Sequence, residues 1–553
     1  MSKPFSILVF VLTGLFLFFF FVWPIGEALR GAFFDAHDRF TILYVAEVFK
    51  NPIYIEGLRN AFLFAGASTV LAIFIAFPLA VVSDRYLFPG KGILTGLILV
   101  PMILPPFVGA IGIKQIFGQK GSLNALLENL GLMDPITPID WLGESRFWGV
   151  VLMNAIHLYP ILYLNIVAAL ANLDPAMEEA AENLGCTGLR KLRKITIPLI
   201  MPGLFAGGTI AFISAFTELG VPLMFGFTRV TSVQILTGIN DMAGNPFPFA
   251  LVAVMLATSI LLFALSKLAL GRSGYAMIAK ATSQGGPRKV GRFFGALCTL
   301  LFCVVISFAI LPNLAVILVS FSGDWYGTIL PSEWRTAHFT DALSHDLALP
   351  SIQNSIKYAG LSTLLDLILG VAIAYVVTRT RLVGREILDA IAMLPLAVPG
   401  VVLAFGYYAM TQEGKVFAAL NPLKDPLAIL VIAYSVRRLP FIVRSAAAGF
   451  EQTSVTFEEA AQNLGCPPLK TLAKITLPLI TANLLAGALL TFSFAMLEVS
   501  DSLILAQRQQ DYPITKAIYE LYQLLGNGRF IASALGVWAM CFLATTVIGA
   551  SLI

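Results

Sequence analysis

Twelve apolar stretches run through this chain, at 5–29, 58–83, 92–116, 147–171, 197–217, 248–270, 293–321, 352–378, 386–411, 426–449, 479–503 and 530–553. Each is near the ~20 residues that an α-helix needs to cross the hydrocarbon of a bilayer. The pattern predicts an all-α polytopic membrane protein with twelve transmembrane helices, six in each half. Composition agrees: 12% of the 553 residues are charged, about half the roughly 25% of soluble domains. The first stretch follows a single early Lys3, is longer than a signal-peptide core and lacks a small-x-small cleavage site. It is expected to be a retained span. A net charge of +4 suggests no nucleic-acid partner.

The two halves repeat one another. NAFLFAGASTVLAIFIAFPLA from Asn60 matches NSIKYAGLSTLLDLILGVAIA from Asn354, a shift of 294, and Pro101 and Pro105 recur as Pro395 and Pro399. Later in each half the shift falls to 280, placing the extra residues of the first half in the polar stretch 118–146. The repeats therefore run parallel, related by an axis along the membrane normal with a pathway between them. The expected division is a first repeat at 1–270, a polar, basic linker at 271–292 and a second repeat at 293–553. Ser283, Gly285, Gly286 and Pro287 supply breakers within the linker.

One polar loop recurs almost unchanged. Residues 174–198 read DPAMEEAAENLGCTGLRKLRKITIP and residues 454–478 read SVTFEEAAQNLGCPPLKTLAKITLP. Asp174 followed by Pro175 is a helix start, a capping side chain and then a residue whose missing N–H costs nothing in the first turn. Glu178 and Glu179 lie near the positive helix end. Met177, Ala180, Ala181 and Leu184 form one apolar stripe at helical spacing, repeated by Phe457, Ala460, Ala461 and Leu464. Glu178 and Glu182, or Glu458 and Gln462, take the opposite face. Gly185 and Gly465 suit a left-handed helix end. A short amphipathic helix turned sharply at glycine fits a partner's groove.

The spacing within these loops, EAA, three residues, Gly, nine residues, Ile, one residue, an aliphatic and Pro, resembles the signature loop of membrane subunits of binding-protein-dependent ABC importers. That resemblance implies a type I ABC importer permease fold, with both membrane subunits fused in one chain. It also implies a coupling role for Glu178, Glu179, Ala180, Ala181 and Gly185, and for Glu458, Glu459, Ala460, Ala461 and Gly465. The implied partners are a dimer of ATP-binding cassette ATPases on the cytoplasmic side, a solute-binding protein outside, and the lipid of a bacterial inner membrane. ATP and magnesium would sit on the ATPase, and this chain would hold no cofactor. RRLPFIVRS from Arg437 and FAMLEVSDSLIL from Phe494 resemble the ferric-iron importer group, whose relatives carry thiamine or aminoethylphosphonate. The rival class is an ion-coupled secondary transporter, which also has twelve spans in two repeats but needs no ATPase dock.

The Lys and Arg bias places the loops with Arg85 and Lys91, Arg190–Lys194, Arg272–Arg292, Arg379–Arg385, and Lys470 with Lys474 on one side. By the positive-inside rule that side, with the N terminus and both signature loops, is expected to be cytoplasmic.

No enzyme motif is present. Gly90-Lys91-Gly92 lacks the upstream glycine of a phosphate-binding loop, and His37, His157, His338 and His345 are too dispersed for catalysis. Cys186, Cys298, Cys303, Cys466 and Cys541 form no metal or redox pair, and Cys298 and Cys303 read as packing residues. Charge at membrane depth is costly and marks pathways. The pathway candidates are Glu218 and Glu498 near the outer ends of matching spans, and Arg437 and Arg438 in mid-span. His157 joins them, standing where the repeat puts Arg437. Asp501 lies close by in sequence, and Asp366 interrupts another span.

Overall fold

The computed structural model describes residues 3–35, 37–143, 146–242, 244–272 and 288–552. Most of the expected linker therefore lies outside the described residues. Among the described residues, eight helices are long and apolar enough to cross a membrane, and eleven if each sharply bent pair is one span. The helix Leu427–Gln452 also has the length of a span, but Arg437, Arg438 and Arg444 keep it out of the apolar set. With it the described helices accommodate the twelve expected spans.

Three spans that read as continuous in sequence are broken. The third bends by 96° between Lys91–Met102 and Pro106–Asn129, the ninth by 104° between Arg385–Leu396 and Gly400–Met410, and the eleventh by 79° between Leu469–Leu479 and Thr481–Met496. The first two breaks fall at the repeated prolines, Pro105 and Pro399, which lack an N–H and cannot continue a helical ladder. The expected stretches 92–116, 386–411 and 479–503 are corrected accordingly, and the second helix of the eleventh span stops at Met496. A break at membrane depth is tolerated where protein covers it, and every residue of Gly400–Met410 is buried.

Packing groups the chain into two compact units whose limits differ from those of the sequence repeats. One contains Met1–Ile55, Thr231–Ala257 and Arg335–Ile553, and the other Glu56–Val230 and Thr258–Trp334. The first span of each half is thus exchanged. In the unit dominated by the second half, the Tyr407 hydroxyl donates to the Phe20 carbonyl at 2.6 Å and Phe5 meets Tyr375 at 6.3 Å. In the other unit, span seven (Arg292–Ser320) packs on first-half elements. Phe302 meets Phe88 at 5.0 Å, and the Thr299 hydroxyl donates to the Pro89 carbonyl at 2.9 Å. In that unit Arg288 and Lys289, at the far end of the linker, pair in parallel with Tyr86 and Leu87. Cys298 is buried as a packing residue should be, whereas Cys303 is exposed.

Candidate functional site

Each signature loop folds as its sequence dictates. The first helix is Pro175–Asn183, and Asp174 caps it by accepting the Ala176 N–H at 2.9 Å. The second is Thr456–Asn463, where the Ser454 hydroxyl accepts the Thr456 N–H at 3.3 Å. Both end in the same closure. Gly185 and Gly465 have φ of +80° and +82°. Cys186 N–H donates to the Ala181 carbonyl at 2.9 Å and Gly185 N–H to the Glu182 carbonyl at 2.9 Å, and the second loop repeats both bonds. This doubled bond pattern across a left-handed glycine satisfies the last carbonyls of the helix.

The faces of these helices are inverted relative to a surface helix of a soluble protein. Met177, Ala180 and Leu184 are exposed, as are Phe457, Ala460 and Leu464, and the two leucines reach 88% and 89% exposure. Glu179 and Glu459 are exposed beside them, while Ala181 is buried. The polar face turns inward. Glu178 pairs with Arg85, accepts from the Thr196 hydroxyl at 2.6 Å and lies 3.4 Å from Lys191. Glu458 pairs with Arg379 at 3.1 Å and accepts from Thr476 at 3.4 Å. Glu182 bonds Lys191 at 2.7 Å and Arg288 at 3.3 Å, which holds its carboxyl below the ordinary range. An exposed apolar face rimmed by charge marks an interaction surface.

At membrane depth, Glu498, Arg437 and Arg438 come together in one unit. Arg437 Nε lies 3.1 Å from Glu498 Oε2, and Arg438 bonds the same oxygen. Arg438 also stacks over Phe494, 5.6 Å from its centroid. A methyl group at Gly400 would overlap the Arg437 guanidinium, so in this arrangement the arginine head fills the space that glycine leaves open on the broken ninth span. Asp366 accepts from the Ser435 hydroxyl at 2.6 Å, and Tyr434 and Ser502 share a 2.6 Å hydrogen bond. Asp501 is buried, and neither of its carboxylate oxygens has a hydrogen-bond partner among the described residues.

The other half is an internal control for this cluster. At the repeat shifts, Arg437, Arg438, Ser435, Asp501 and Asp366 correspond to His157, Leu158, Ala155, Val221 and Ala72. The same fold is therefore built without the charges. His157 and Glu218 lie in the other unit, and His157 Nδ1 is buried with no hydrogen-bond partner among the described residues. Glu218 and Glu498 share a different task. Glu218 accepts the N–H groups of Gly220 at 3.1 Å and Val221 at 3.3 Å, at the head of the helix Gly220–Phe225. Glu498 accepts those of Ser500 and Asp501 at the head of Ser500–Leu505. Their recurrence follows from capping, and only the second half adds arginines.

Sequence reasoning treated Arg85 and Arg379 as orientation charges and missed their ion pairs. The signal was available, since the shift of 294 lays one on the other. Gly400, Ser435 and Ser502 left no such signal.

Comparison with known proteins agrees with this geometry. Residues 68–273 and 366–551 each match the family described as binding-protein-dependent transport system inner membrane component. A ferric transport system permease protein of Actinobacillus pleuropneumoniae is 27% identical over 499 residues, covering 88% of this chain and 69% of that protein. A candidate ferric transport system permease of Haemophilus influenzae is 27% identical over 499 residues, covering 88% of this chain and 76% of that one. A candidate 2-aminoethylphosphonate transport permease of Salmonella typhimurium is 24% identical over 256 residues, 46% of this chain and 88% of that one. With one match in each half, a mainly helical body and two signature helices whose apolar faces are exposed, this chain belongs to the family of binding-protein-dependent transport system inner membrane components.

Proposed function

We propose that this permease carries ferric iron across a bacterial inner membrane, driven by a separate ATPase dimer and supplied by an extracytoplasmic solute-binding protein. The observation that carries the ATPase reading is the doubled signature helix with its apolar face outward. Support for iron comes from the two ferric relatives, whose likeness extends over 499 residues. Glu179, Ala180 and Gly185, with Glu459, Ala460 and Gly465, form the exposed docking face, and Ala181, which is buried, and Ala461, which is half-buried, lie at its base. Glu178 and Glu458 hold that face from behind. Glu498, Arg437 and Arg438 belong to the pathway, with Glu218 and His157 as their partners by repeat.

The cognate binding protein tests the cargo. Its melting temperature should rise with ferric iron and stay unchanged with thiamine or 2-aminoethylphosphonate. A rise with the phosphonate alone would favour the second reading, for which the paired arginines speak because guanidinium groups bind phosphonate oxygens in a bidentate manner.

Orientation is tested by cysteine labelling of a chain freed of its native cysteines. A membrane-impermeant reagent should reach a probe at 240–244 in intact cells and spare one at 283–286. The opposite pattern places the signature loops outside and removes the ATPase from the proposal.

A further inference from the structure

We propose that Arg85, Glu178 and Thr196, with their counterparts Arg379, Glu458 and Thr476, are positioning residues. They fix each signature helix to two spans of its own half, so that movement of the ATPase is passed directly to those spans. The inference rests on the docking reading above.

The contact recurs although its members repeat at different offsets. Arg85 maps to Arg379 at 294, whereas Glu178 and Thr196 map to Glu458 and Thr476 at 280. The meeting is therefore conserved between the halves as a three-way contact and does not follow from one copied local stretch. Arg85 and Arg379 are the last residues of spans two (Pro52–Arg85) and eight (Ala348–Arg379). Thr196 and Thr476 close the π-helical turns Leu192–Thr196 and Leu472–Thr476, which lead into spans five and eleven. Single π-turns are rare and gather at functional sites. Glu178 and Glu458 are the carboxylates that join the two ends.

The pairs are sheltered. The side chains of Arg379 and Glu458 are 8% and 7% exposed, and those of Arg85 and Glu178 are 18% and 20%. Exposed ion pairs are loose and screened by salt, whereas these hold a fixed geometry. Arg379 also donates to the Phe450 and Thr453 carbonyls, each at 2.7 Å, which joins it to the end of span ten. Arg85 also donates to Thr196 at 2.8 Å. Spans five and eleven lead to Glu218 and Glu498, so a helix fixed at its carboxylate moves the elements that end at those residues. If the contact were cut, the signature helix would still present its apolar face, but its displacement would dissipate in the loop.

The test uses the complete transporter in liposomes, comprising permease, ATPase and cargo-loaded binding protein. Glu178→Gln with Glu458→Gln should still co-purify with the ATPase, and should lower the ratio of binding-protein-stimulated to basal hydrolysis to near one and abolish uptake. Exchange of the charges in both halves, Arg85→Glu with Glu178→Arg and Arg379→Glu with Glu458→Arg, should restore part of the stimulation. Wild-type stimulation in the glutamine variant overturns the proposal. So does loss of the ATPase from a variant of unchanged melting temperature, because the glutamates then belong to the docking face. If the glutamine variant does not fold, Thr196→Val with Thr476→Val carries the test, since it cuts the bond from each glutamate to the start of span five or eleven, leaves the arginine pairs in place and buries no new charge. The ratio of stimulated to basal hydrolysis should fall in that variant, and an unchanged ratio overturns the proposal. Failure of the unmodified chain to retain an ATPase would instead remove the docking reading.

Discussion

Glu498→Ala should lower the melting temperature and yield of the purified permease far more than Glu218→Ala. Loss of one partner from a buried ion cluster leaves uncompensated charge and costs about 3–5 kcal/mol. Here it strands two arginines whose side chains are 24% and 17% exposed. Glu218 caps a short helix, and loss of a cap costs about 1 kcal/mol. Equal shifts in the two variants would mean that the arginines do not depend on Glu498. The internal control sharpens the experiment. Arg437→His, Arg438→Leu and Asp501→Val together give the second half the residues of the first, His157, Leu158 and Val221. That triple variant keeps Glu498 as the cap of Ser500–Leu505, the role Glu218 has in the first half, and should therefore melt closer to the parent than Glu498→Ala. It should nonetheless lose uptake if the charges serve the cargo. Full uptake would reduce the cluster to a dispensable structural feature.

Gly185→Val with Gly465→Val should abolish binding-protein-stimulated ATP hydrolysis while the chain still reaches the membrane in normal amount. Nothing lies within 4 Å of a Cβ built at either position, so neither substitution creates a clash. The penalty is conformational. Left-handed backbone costs an L-residue roughly 1–2 kcal/mol, more for a β-branched side chain at φ of +80° or +82°. The cheapest relief is to unwind the closure that Gly185 and Cys186 make with Glu182 and Ala181, which re-aims Met177 and Leu184. The loops are peripheral, so the spans should remain intact. Normal stimulated hydrolysis in the double variant, read beside expression and uptake in the same membranes, excludes these helices as the dock.

The sequence by itself determined the features whose causes are local. Apolar runs long enough for a bilayer marked most of the spans, and two constant shifts exposed the repeat. Asp174, Gly185 and Gly465 set ends of the signature helices, since a cap or a left-handed turn needs only neighbours a few residues away. The prolines of the third and ninth spans were equally visible, yet a proline licenses a break without requiring one. The burial of Gly400–Met410 makes the break affordable, and burial is tertiary. Tertiary structure likewise decided which face of each signature helix points outward. Glu178 turns inward because Arg85, 93 residues earlier, waits beside Thr196. It also decided that the first span of each half packs in the unit of the other. Apolar periodicity records that a span has a face to bury and says nothing about which neighbour covers it. The isolation of Asp501 belongs to the same class, because whether a buried carboxylate finds a donor depends on groups that only the folded chain brings near. The sequence places that residue beside Glu498, but only the fold shows that Arg438 and Arg437 both engage the glutamate.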